Sequence, residues 1–345
     1  MKTNFLEINQ ATFIASEKNK VNNVSLTIKE KGEIVCLLGP SGVGKTTILR
    51  TIAGLQDLKS GEIKLKGNII SSDKYNLEPE KRNIALCFQD NSLFPHFNVI
   101  DNINIGAKRK NGSKFNYSDK DLIKILHLED IQEKYPHQIS SGEAQRVSLA
   151  RSLMSKPDLL LLDEPFSSLD PELRESTRLE VHKLLKSVKM SAILVTHDTE
   201  EALSFADRIA VMRQGQIEQV GTPEEIYHKP ETAFVANFLG QSNIIQGIAD
   251  GRRVQTQLGQ LQIESPAFGQ VSVSIRPEHL VMETPNGGCV GTVCKRDFKG
   301  SDLTYEIDFN DHRCLVQTNY DCPVQVGQSV EVKAVESAVV VQEQT

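Results

Sequence analysis

The chain has 345 residues, of which 39% are hydrophobic and 24% are charged, a composition typical of a soluble globular protein with room for two domains. Its 39 lysines and arginines are outnumbered by 45 aspartates and glutamates, which gives a formal net charge of −6. Such a chain lacks the basic excess of nucleic-acid-binding proteins, so we expect no nucleic acid among its partners.

The location of the chain is predicted by what its sequence lacks. No apolar stretch approaches the length of a transmembrane helix, and residues 1–10 lack the basic and apolar regions of a signal peptide. The six cysteines show no C-x-x-C pairing and no zinc-type spacing, which favours free thiols in a reducing compartment. We expect a cytosolic chain that, if it works at a membrane, docks onto another subunit.

Residues 1–30 predict antiparallel strands, because apolar and polar residues alternate weakly within residues 5–8 and 24–28. Phe13 lies between these two segments. Two interpretations of its ring remain open at this point. It is either a core aromatic residue or a platform on which the adenine of a nucleotide stacks.

A phosphate-binding loop is predicted at residues 39–46, which fit the pattern G-x-x-x-x-G-K-[ST] at every fixed position. Residues 34–38 predict a buried strand before it, and residues 47–53 predict a helix after it. Glycines in such a loop allow backbone N–H groups to approach phosphates, and the helix N-terminus adds partial positive charge. Lys45 can reach the β- and γ-phosphates, and the Thr46 hydroxyl can bind Mg²⁺. The predicted nucleotide-binding residues are Gly39, Pro40, Ser41, Gly42, Gly44, Lys45, Thr46 and Thr47, and Phe13 is counted with them as the platform for adenine.

The rest of the pattern predicts a parallel α/β sheet followed by an all-β domain. Strands at residues 63–70 and 84–88 precede a helical stretch at about residues 90–155, after which strands alternate with helices. Beyond residue 240 the segments become short, alternating and bounded by turns. We therefore expect one domain at residues 1–240 and a β-rich domain at residues 241–345.

Two adjacent carboxylates follow the apolar residues 159–162. A buried strand that ends in an acid places the carboxylate beside bound Mg²⁺, which gives Asp163 a metal-binding role. Glu164 lies one residue further along, where it can orient or deprotonate an attacking water.

With these motifs the chain resembles the ATP-hydrolysing subunits of ABC transporters over residues 5–240. Six motifs occur in the order found in that family. They are the phosphate loop at 39–46, the glutamine loop at 88–96, the signature motif at 139–146, the strand and acids at 159–164, the D-loop at 167–170 and the switch histidine within 195–198.

The resemblance implies roles for further residues. Gln89 would contact Mg²⁺ or the water and sense a membrane subunit, and His197 would contact the γ-phosphate. Ser140, Gly142 and Asp170 are counted with the nucleotide-binding residues. By residue type alone, Asp170 before a proline is also a helix N-cap, and His197 is also a strand-end histidine.

The signature departs from the family's L-S-G-G-Q at Ile139, Ser141 and Glu143. Ser140 and Gly142 remain, so a hydroxyl and a backbone N–H can still meet a γ-phosphate. Ser141 adds a Cβ where close approach is needed, and Glu143 places a carboxylate near an anionic phosphate. We expect an active site with, at most, a slower turnover.

The family mechanism implies that a second copy of the chain is a partner. Two copies would face head to tail and bury two ATP molecules between one phosphate loop and the other signature. Hydrolysis would reopen the pair and move an integral-membrane permease docked near residues 90–110. A periplasmic solute-binding protein would take part indirectly, and the chain would be peripheral to the cytoplasmic face of a bacterial inner membrane.

A single nucleotide-binding domain with a β-rich tail resembles bacterial importers rather than fused exporters. Residues 221–240 and 274–278 resemble the junction and tail of importers of the sugar, polyamine, sulfate and ferric-iron branches. The tail resembles a small oligomer-binding-like (TOBE-like) barrel, either regulatory or dimer-stabilising. Ferric iron is the nearest likeness, carried by residues 135–138, 207–215 and 258–261. Import of a polyamine, sulfate or thiosulfate, molybdate or a sugar remains an alternative, as does a non-transport ABC ATPase. A GTPase is not supported, since the sequence has no N-K-x-D motif.

Overall fold

A computed structural model describes residues 3–14, 20–88, 92–107, 117–309 and 312–342. The chain divides into two compact units, Met1–Pro223 and Glu224–Thr345. Within the described ranges, no helix combines the length and the apolar character needed to cross a membrane.

The first unit contains ten strands and six α-helices among its described residues. The strands are β1 (Leu6–Ile14), β2 (Lys20–Ile28), β3 (Ile34–Leu38), β4 (Leu58–Leu65), β5 (Asn68–Ser72), β6 (Ile84–Cys87), β7 (Leu159–Asp163), β8 (Ser191–Thr196), β9 (Arg208–Arg213) and β10 (Gln216–Gly221). The helices are α1 (Lys45–Ala53), α2 (Val99–Ala107), α3 (Asp119–Ile125), α4 (Ser141–Met154), α5 (Pro171–Ser187) and α6 (Thr199–Phe205), with 3₁₀ turns at Pro79–Lys81, Glu129–Ile131 and Pro136–Gln138.

Two sheets organise this unit. The antiparallel sheet has the order β2-β1-β4-β5, and the larger sheet has the order β10-β9-β3-β8-β7-β6. In the larger sheet β9, β3, β8, β7 and β6 pair in parallel, and β10 adds to its edge in antiparallel orientation. The predicted fold class, a parallel α/β core with antiparallel N-terminal strands, is confirmed.

The parallel order brings the ends of β3, β7 and β8 to one edge of the sheet. Strand β8 lies between the other two, in register from Ile34 opposite Ala192 and from Leu159 opposite Ser191. All three strands are buried along their length, which matches their near-continuous apolar sequences. The loops that follow these strands therefore emerge together, which is where parallel α/β sheets bind ligands.

One hydrophobic core joins both sheets to α1. Ile48, Leu49 and Ile52 of α1 are fully buried in it, against strand residues that include Leu37 and Leu161. Each such side chain stabilises the fold by about 1.5–3 kcal/mol. This packing fixes the start of α1, and with it the phosphate loop, relative to the parallel sheet.

The predicted helical stretch holds α2, α3 and α4, which lie between β6 and β7 in the chain. Helix α3 begins with a capping box in which Ser118 and Asp121 exchange hydrogen bonds with each other's backbone N–H groups. Helix α4 contacts both α2 and α3, so these helices form one helical layer within the unit.

The second unit is mostly strands, as predicted. Its helices are α7 (Pro223–His228) and α8 (Ala233–Phe238), with a 3₁₀ turn at Pro277–His279. Its strands are β11 (Asn243–Thr256), β12 (Gly259–Ile275), β13 (Leu280–Glu283), β14 (Val290–Phe298), β15 (Asp302–Asp308), β16 (Arg313–Asn319), β17 (Ser329–Ala334) and β18 (Val339–Val341). They form sheets of order β11-β12-β18 and β13-β17-β14-β15-β16 around one core that includes Tyr305.

The boundary between the units lies earlier than the expected residue 240. Helices α7 and α8 group with the strands of the second unit. One contribution comes from Arg276, 3% exposed, which donates hydrogen bonds to four backbone carbonyls that precede β11. The acceptors are the carbonyls of Tyr227, Ala236, Gly240 and Gln241, at 2.8–3.2 Å. A composition change marks where the strands begin, whereas the packing of the second unit begins earlier, through Arg276 and through backbone pairing of residues 231–233 with Gln342.

Candidate nucleotide-binding and hydrolysis site

The phosphate loop connects β3 to α1 with a backbone geometry that requires glycine. Gly42 and Gly44 have φ angles of 80° and 104°, in the left-handed region that other residues rarely adopt. Gly44 is the N-cap of α1 and makes no side-chain capping hydrogen bond. The first N–H groups of α1 and the positive end of its dipole are therefore available to an anion such as a phosphate.

Two glycines of the loop also lie against the rest of the unit. A Cβ on Gly39 would lie 2.5 Å from the Met212 carbonyl oxygen, and one on Gly44 would lie 2.0 Å from Cγ2 of Val21. Residues 40–42 between them are exposed. The loop is thus held close at both ends and open in the middle, where a phosphate chain would bind.

The Lys45 ammonium is enclosed by the loop. Lys45 is 6% exposed, and its Nζ donates hydrogen bonds to the carbonyl oxygens of Gly39 (2.6 Å) and Pro40 (2.9 Å). Burial lowers the pKa of Lys45, while the nearby carboxyls of Glu164 and Asp163 act in the opposite direction. The charge is thus already positioned inside the loop, and a phosphate would replace two neutral carbonyls as its partner.

A hydroxyl and a carboxylate meet beside the loop. The Thr46 hydroxyl donates a hydrogen bond to Oδ1 of Asp163 at 3.1 Å, and Asp163 is 5% exposed at the end of β7. Burial raises the pKa of Asp163, and the Thr46 hydrogen bond lowers it in part. Two such oxygens fit a Mg²⁺ ion, which takes one or two protein ligands and completes its shell with water and phosphate oxygens. The described residues contain no cluster of three or more His, Cys, Asp or Glu that could hold a metal by itself.

Thr47, the last of the nucleotide-binding residues predicted for the phosphate loop, is partly buried.

Glu164 and His197 form a pair at the ends of β7 and β8. Nδ1 of His197 lies 2.9 Å from Oε1 of Glu164, with the histidine side chain 57% and the glutamate side chain 18% exposed. Glu164 has a φ of 48°, which is rare for a residue with a Cβ, and its N–H donates to the carbonyl of Val195. The turn in the backbone directs the carboxylate towards His197 instead of along the strand.

The start of α4 has a feature that the motif alone did not reveal. Ser140 is the N-cap, its Oγ accepts from the Glu143 N–H at 3.2 Å, and its own N–H donates to Oε2 of Glu143 at 2.7 Å. This backbone hydrogen bond from Ser140 lowers the pKa of Glu143. The carboxylate that we expected near a phosphate is turned back in a capping box. Gly142 lies close to the D-loop, since a Cβ there would lie 3.0 Å from the Ser168 carbonyl oxygen.

Three further sequence predictions have different outcomes. Asp170 occupies the N-cap position of α5, as expected, but its side chain makes no capping hydrogen bond. The expected side-chain cap is therefore wrong, and the exposed carboxylate stays open to other roles. Phe13 is fully buried in the core, so its ring has no free face for adenine and the core-aromatic interpretation agrees with the structure. Gln89 lies outside the described residues.

Gln145 is a buried polar residue of this region that the sequence analysis missed. It is 1% exposed on α4 and hydrogen bonds to the backbone of Glu164 and Ser168. Residues 145–150 are all buried, so helical phase does not distinguish Gln145. The available signal is its place inside the signature motif at 139–146. A polar side chain on a buried face needs partners there.

Known proteins resemble both parts of the chain. A family model described as ABC transporter matches residues 21–167, and one described as TOBE domain matches residues 273–341. The spermidine/putrescine import ATP-binding protein PotA of Mesoplasma florum is 40% identical over 310 residues, which cover 87% of each chain. The Fe(3+) ions import ATP-binding protein FbpC 2 of Pectobacterium atrosepticum is 38% identical over 309 residues, 88% of this chain and 89% of its own.

Among solved structures, a dimeric ATP-binding cassette, MJ0796, in a post-hydrolysis state bound to ADP and Pi matches with a TM-score of 0.55. It is 26% identical, and the match covers 63% of this chain and 98% of the other.

Proposed function

Because the chain belongs to the ABC transporter family of ATP-binding subunits, we propose that it hydrolyses ATP to drive a bacterial importer of a cationic solute. The observation that carries the hydrolytic part is the Glu164–His197 pair, in which Glu164 directly follows Asp163, the carboxylate that accepts a hydrogen bond from Thr46 of the phosphate loop. An ammonium, a hydroxyl, two carboxylates and an imidazole thus follow three neighbouring strands, and these are the groups that phosphoryl transfer to water needs.

Each residue has a separable task in this proposal. The loop backbone and Lys45 hold the β- and γ-phosphates, and Thr46 and Asp163 would hold Mg²⁺, which neutralises charge on the transferred phosphoryl group. Glu164 orients a water and accepts its proton as the water oxygen bonds to the γ-phosphorus and the bond to ADP breaks. His197 holds the Glu164 carboxylate and donates a hydrogen bond to the γ-phosphate. Gln89 is assigned to the same water by resemblance alone.

We further propose that two copies act head to tail, with Ser140, Gly142 and Asp170 facing the nucleotide of the opposing copy. The exposure of Asp170 and of residues 40–42 supports this, since both face solvent in the single chain. The dimeric ADP- and Pi-bound relative supports it too. A permease docked near residues 90–110 would take up the movement, which would make the chain a peripheral subunit at the cytoplasmic face of the membrane.

The hydrolytic assignment is tested with two variants. Lys45→Ala should lose ATP binding, because a buried charge that pairs with phosphate is removed. Glu164→Gln should bind ATP, lose turnover by about 100-fold or more, and accumulate as an ATP-bound dimer in size-exclusion chromatography. Glu200→Gln, which changes an exposed carboxylate on α6, is the control and should hydrolyse ATP normally. A Glu164→Gln protein with wild-type turnover would remove Glu164 from its role.

The solute is proposed on the relatives' names, and two candidates stand. The FbpC relatives import Fe(3+) ions, and the PotA relatives import spermidine or putrescine. Cells that depend on this chain should be given labelled ferric iron or labelled spermidine, with Lys45→Ala as the inactive control. Loss of iron uptake alone in the control assigns ferric iron, and loss of spermidine uptake alone assigns polyamines. If neither uptake falls, the solute belongs to another branch, such as sulfate, molybdate or a sugar.

A further inference from the structure

The amide of Gln145 joins α4 to the turn that carries Glu164. Its Nε2 donates a hydrogen bond to the Glu164 carbonyl oxygen at 2.8 Å and contacts Oγ of Ser167 at 3.4 Å. Its Oε1 accepts from the Ser168 N–H at 3.0 Å. One buried side chain on α4 thus holds both Glu164 and Ser168, the latter a residue of the D-loop.

The carbonyl that Gln145 holds belongs to a residue in an unfavourable backbone conformation. The φ of 48° at Glu164 costs about 1–3 kcal/mol and persists only where the surroundings determine it. Besides Gln145, the Glu164 carbonyl accepts a hydrogen bond from the Ser167 hydroxyl at 2.9 Å, while the Glu164 N–H is held by Val195. The direction of the carboxylate towards His197 therefore depends on hydrogen bonds made to the backbone of Glu164.

A second contact connects the same two elements. Gly142 lies so close to the Ser168 carbonyl that a Cβ would approach it to 3.0 Å. Gly142 and Gln145 lie within one turn at the start of α4, and both meet Ser168, one through its carbonyl and one through its N–H. If the start of α4 moves, residues 164–168 must therefore move with it, or these contacts break.

We infer that Gln145 is a positioning residue, through which the start of α4 sets the backbone of Glu164 and hence the Glu164–His197 pair. This inference rests on the proposed function, in which the opposing copy's ATP binds at the start of α4. The consequence is a link within one chain: the nucleotide that docks against the signature of this copy adjusts the hydrolytic acid of the same copy.

The test compares two substitutions at Gln145 with a matched control. Gln145→Met keeps size and helix propensity but removes both hydrogen bonds. Gln145→Glu keeps an acceptor for the Ser168 N–H and places a carboxylate against the Glu164 carbonyl. Asn243→Leu is the control, because Asn243 is also a buried amide (6% exposed) in the second unit. It donates to the backbone carbonyls of Leu315 and Ile275 and accepts from the Leu315 N–H.

Steady-state ATPase assays and binding of a fluorescent ATP analogue should then separate the effects. Both Gln145 variants should bind the nucleotide within about twofold of wild type and lose kcat by about 10- to 100-fold, as expected for a misplaced catalytic group. Asn243→Leu should lower the melting temperature and keep kcat. In a Glu164→Gln background, Gln145→Met should change the residual rate, measured with radiolabelled ATP, by less than about twofold.

Three results would overturn the inference: wild-type kcat in Gln145→Met, wild-type kcat in Gln145→Glu, or an equal loss from Gln145→Met with and without Glu164. The last result would mean that Gln145 acts on the fold in general and not through Glu164. Failure of the proposed function is a separate result, because it appears in Glu164→Gln alone as undiminished turnover.

Discussion

At the scale of single residues, the phosphate loop depends on two positions that favour glycine for different physical reasons. Gly44 combines a φ of 104° with a Cβ position 2.0 Å from Cγ2 of Val21, a stiff β-branched side chain that is 1% exposed. Gly42 has a φ of 80° but no atom within 4 Å of its Cβ position. Substituting Gly42 therefore measures the cost of the backbone conformation alone, and substituting Gly44 measures that cost together with the cost of packing.

We predict that Gly44→Ala lowers the free energy of unfolding by about 2–4 kcal/mol, because strain and overpacking add. Gly42→Ala should cost about 1 kcal/mol, since only the backbone conformation is unfavourable. Urea unfolding of both variants without nucleotide measures the difference. Equal losses in the two variants would show that Val21 moves aside without cost.

Glu201 is a buried acid in the first turn of α6, and its charge state determines a pH dependence of stability. It is 6% exposed, Oε2 accepts a hydrogen bond from the Thr196 hydroxyl, and no described group hydrogen bonds to Oε1. Burial raises the pKa of Glu201 to about 7, with Asp198 and Glu164 also raising it and Arg178 lowering it. The folded chain therefore holds a proton that the unfolded chain releases near pH 4.5.

The number of protons bound in the folded and unfolded states determines whether stability rises or falls with pH. Between about pH 4.5 and 7 the folded state binds more protons than the unfolded state, so the contribution of Glu201 to stability falls as pH rises through this window. Glu201→Gln should remove that fall and raise the free energy of unfolding at pH 8 by about 1–3 kcal/mol. Chemical unfolding of wild type and variant at pH 5 and pH 8 tests this. Parallel pH profiles for the two proteins would contradict it.

At the scale of elements, Arg276 attaches two short helices to the strands of the second unit. Besides its four backbone acceptors, its guanidinium stacks on the Tyr227 ring, with Cζ 4.0 Å from the ring centroid. Tyr227 in turn donates its hydroxyl hydrogen to Glu278 at 2.7 Å. Helices of six residues are too short to be stable alone, so α7 and α8 depend on tertiary contacts, of which Arg276 supplies a buried and charged set.

Arg276→Met should therefore lower the stability of the second unit by about 3 kcal/mol, since buried carbonyls lose charged donors. It should also make residues 224–242 sensitive to limited proteolysis under native conditions. Arg253→Met is the control, because Arg253 is exposed on β11 and should leave stability within about 0.5 kcal/mol of wild type. Intact resistance to protease in Arg276→Met would show that α7 and α8 are held by other contacts.

The elements also show what the sequence could and could not predict. The phosphate loop, the strand ending in Asp163 and Glu164, and the strand before His197 were found because local patterns determine them: glycine spacing, apolar runs and strand-end acids. The place of Gln145 and the packing of Arg276 depend on contacts between residues far apart in the chain. The role of Phe13 cannot be predicted from the sequence, because an aromatic residue in a strand has the same local pattern whether its ring faces a core or a ligand.

At the scale of the whole molecule, the chain has two units with separate cores. The core around α1 and the two sheets lies within the first unit, and the core that includes Tyr305 lies within the second. The phosphate loop with Asp163, Glu164 and His197 lies entirely in the first unit. We therefore expect a nucleotide that binds this site to stabilise the first unit directly, and a defect in the second core to leave that site intact.

Calorimetry of the full chain should thus show two unfolding transitions, each assignable by a ligand or a substitution. ADP with Mg²⁺ at about 100 times its Kd contributes about 2.7 kcal/mol and should raise one transition by about 5–10 °C, since a unit of this size shifts by about 2–4 °C per kcal/mol. Asn243→Leu should lower the other transition, because it removes the hydrogen bonds that Asn243 makes with the backbone N–H and C=O of Leu315. Lys45→Ala should abolish the response to ADP. A single transition that moves with both ADP and Asn243→Leu would mean that the two cores unfold as one cooperative unit.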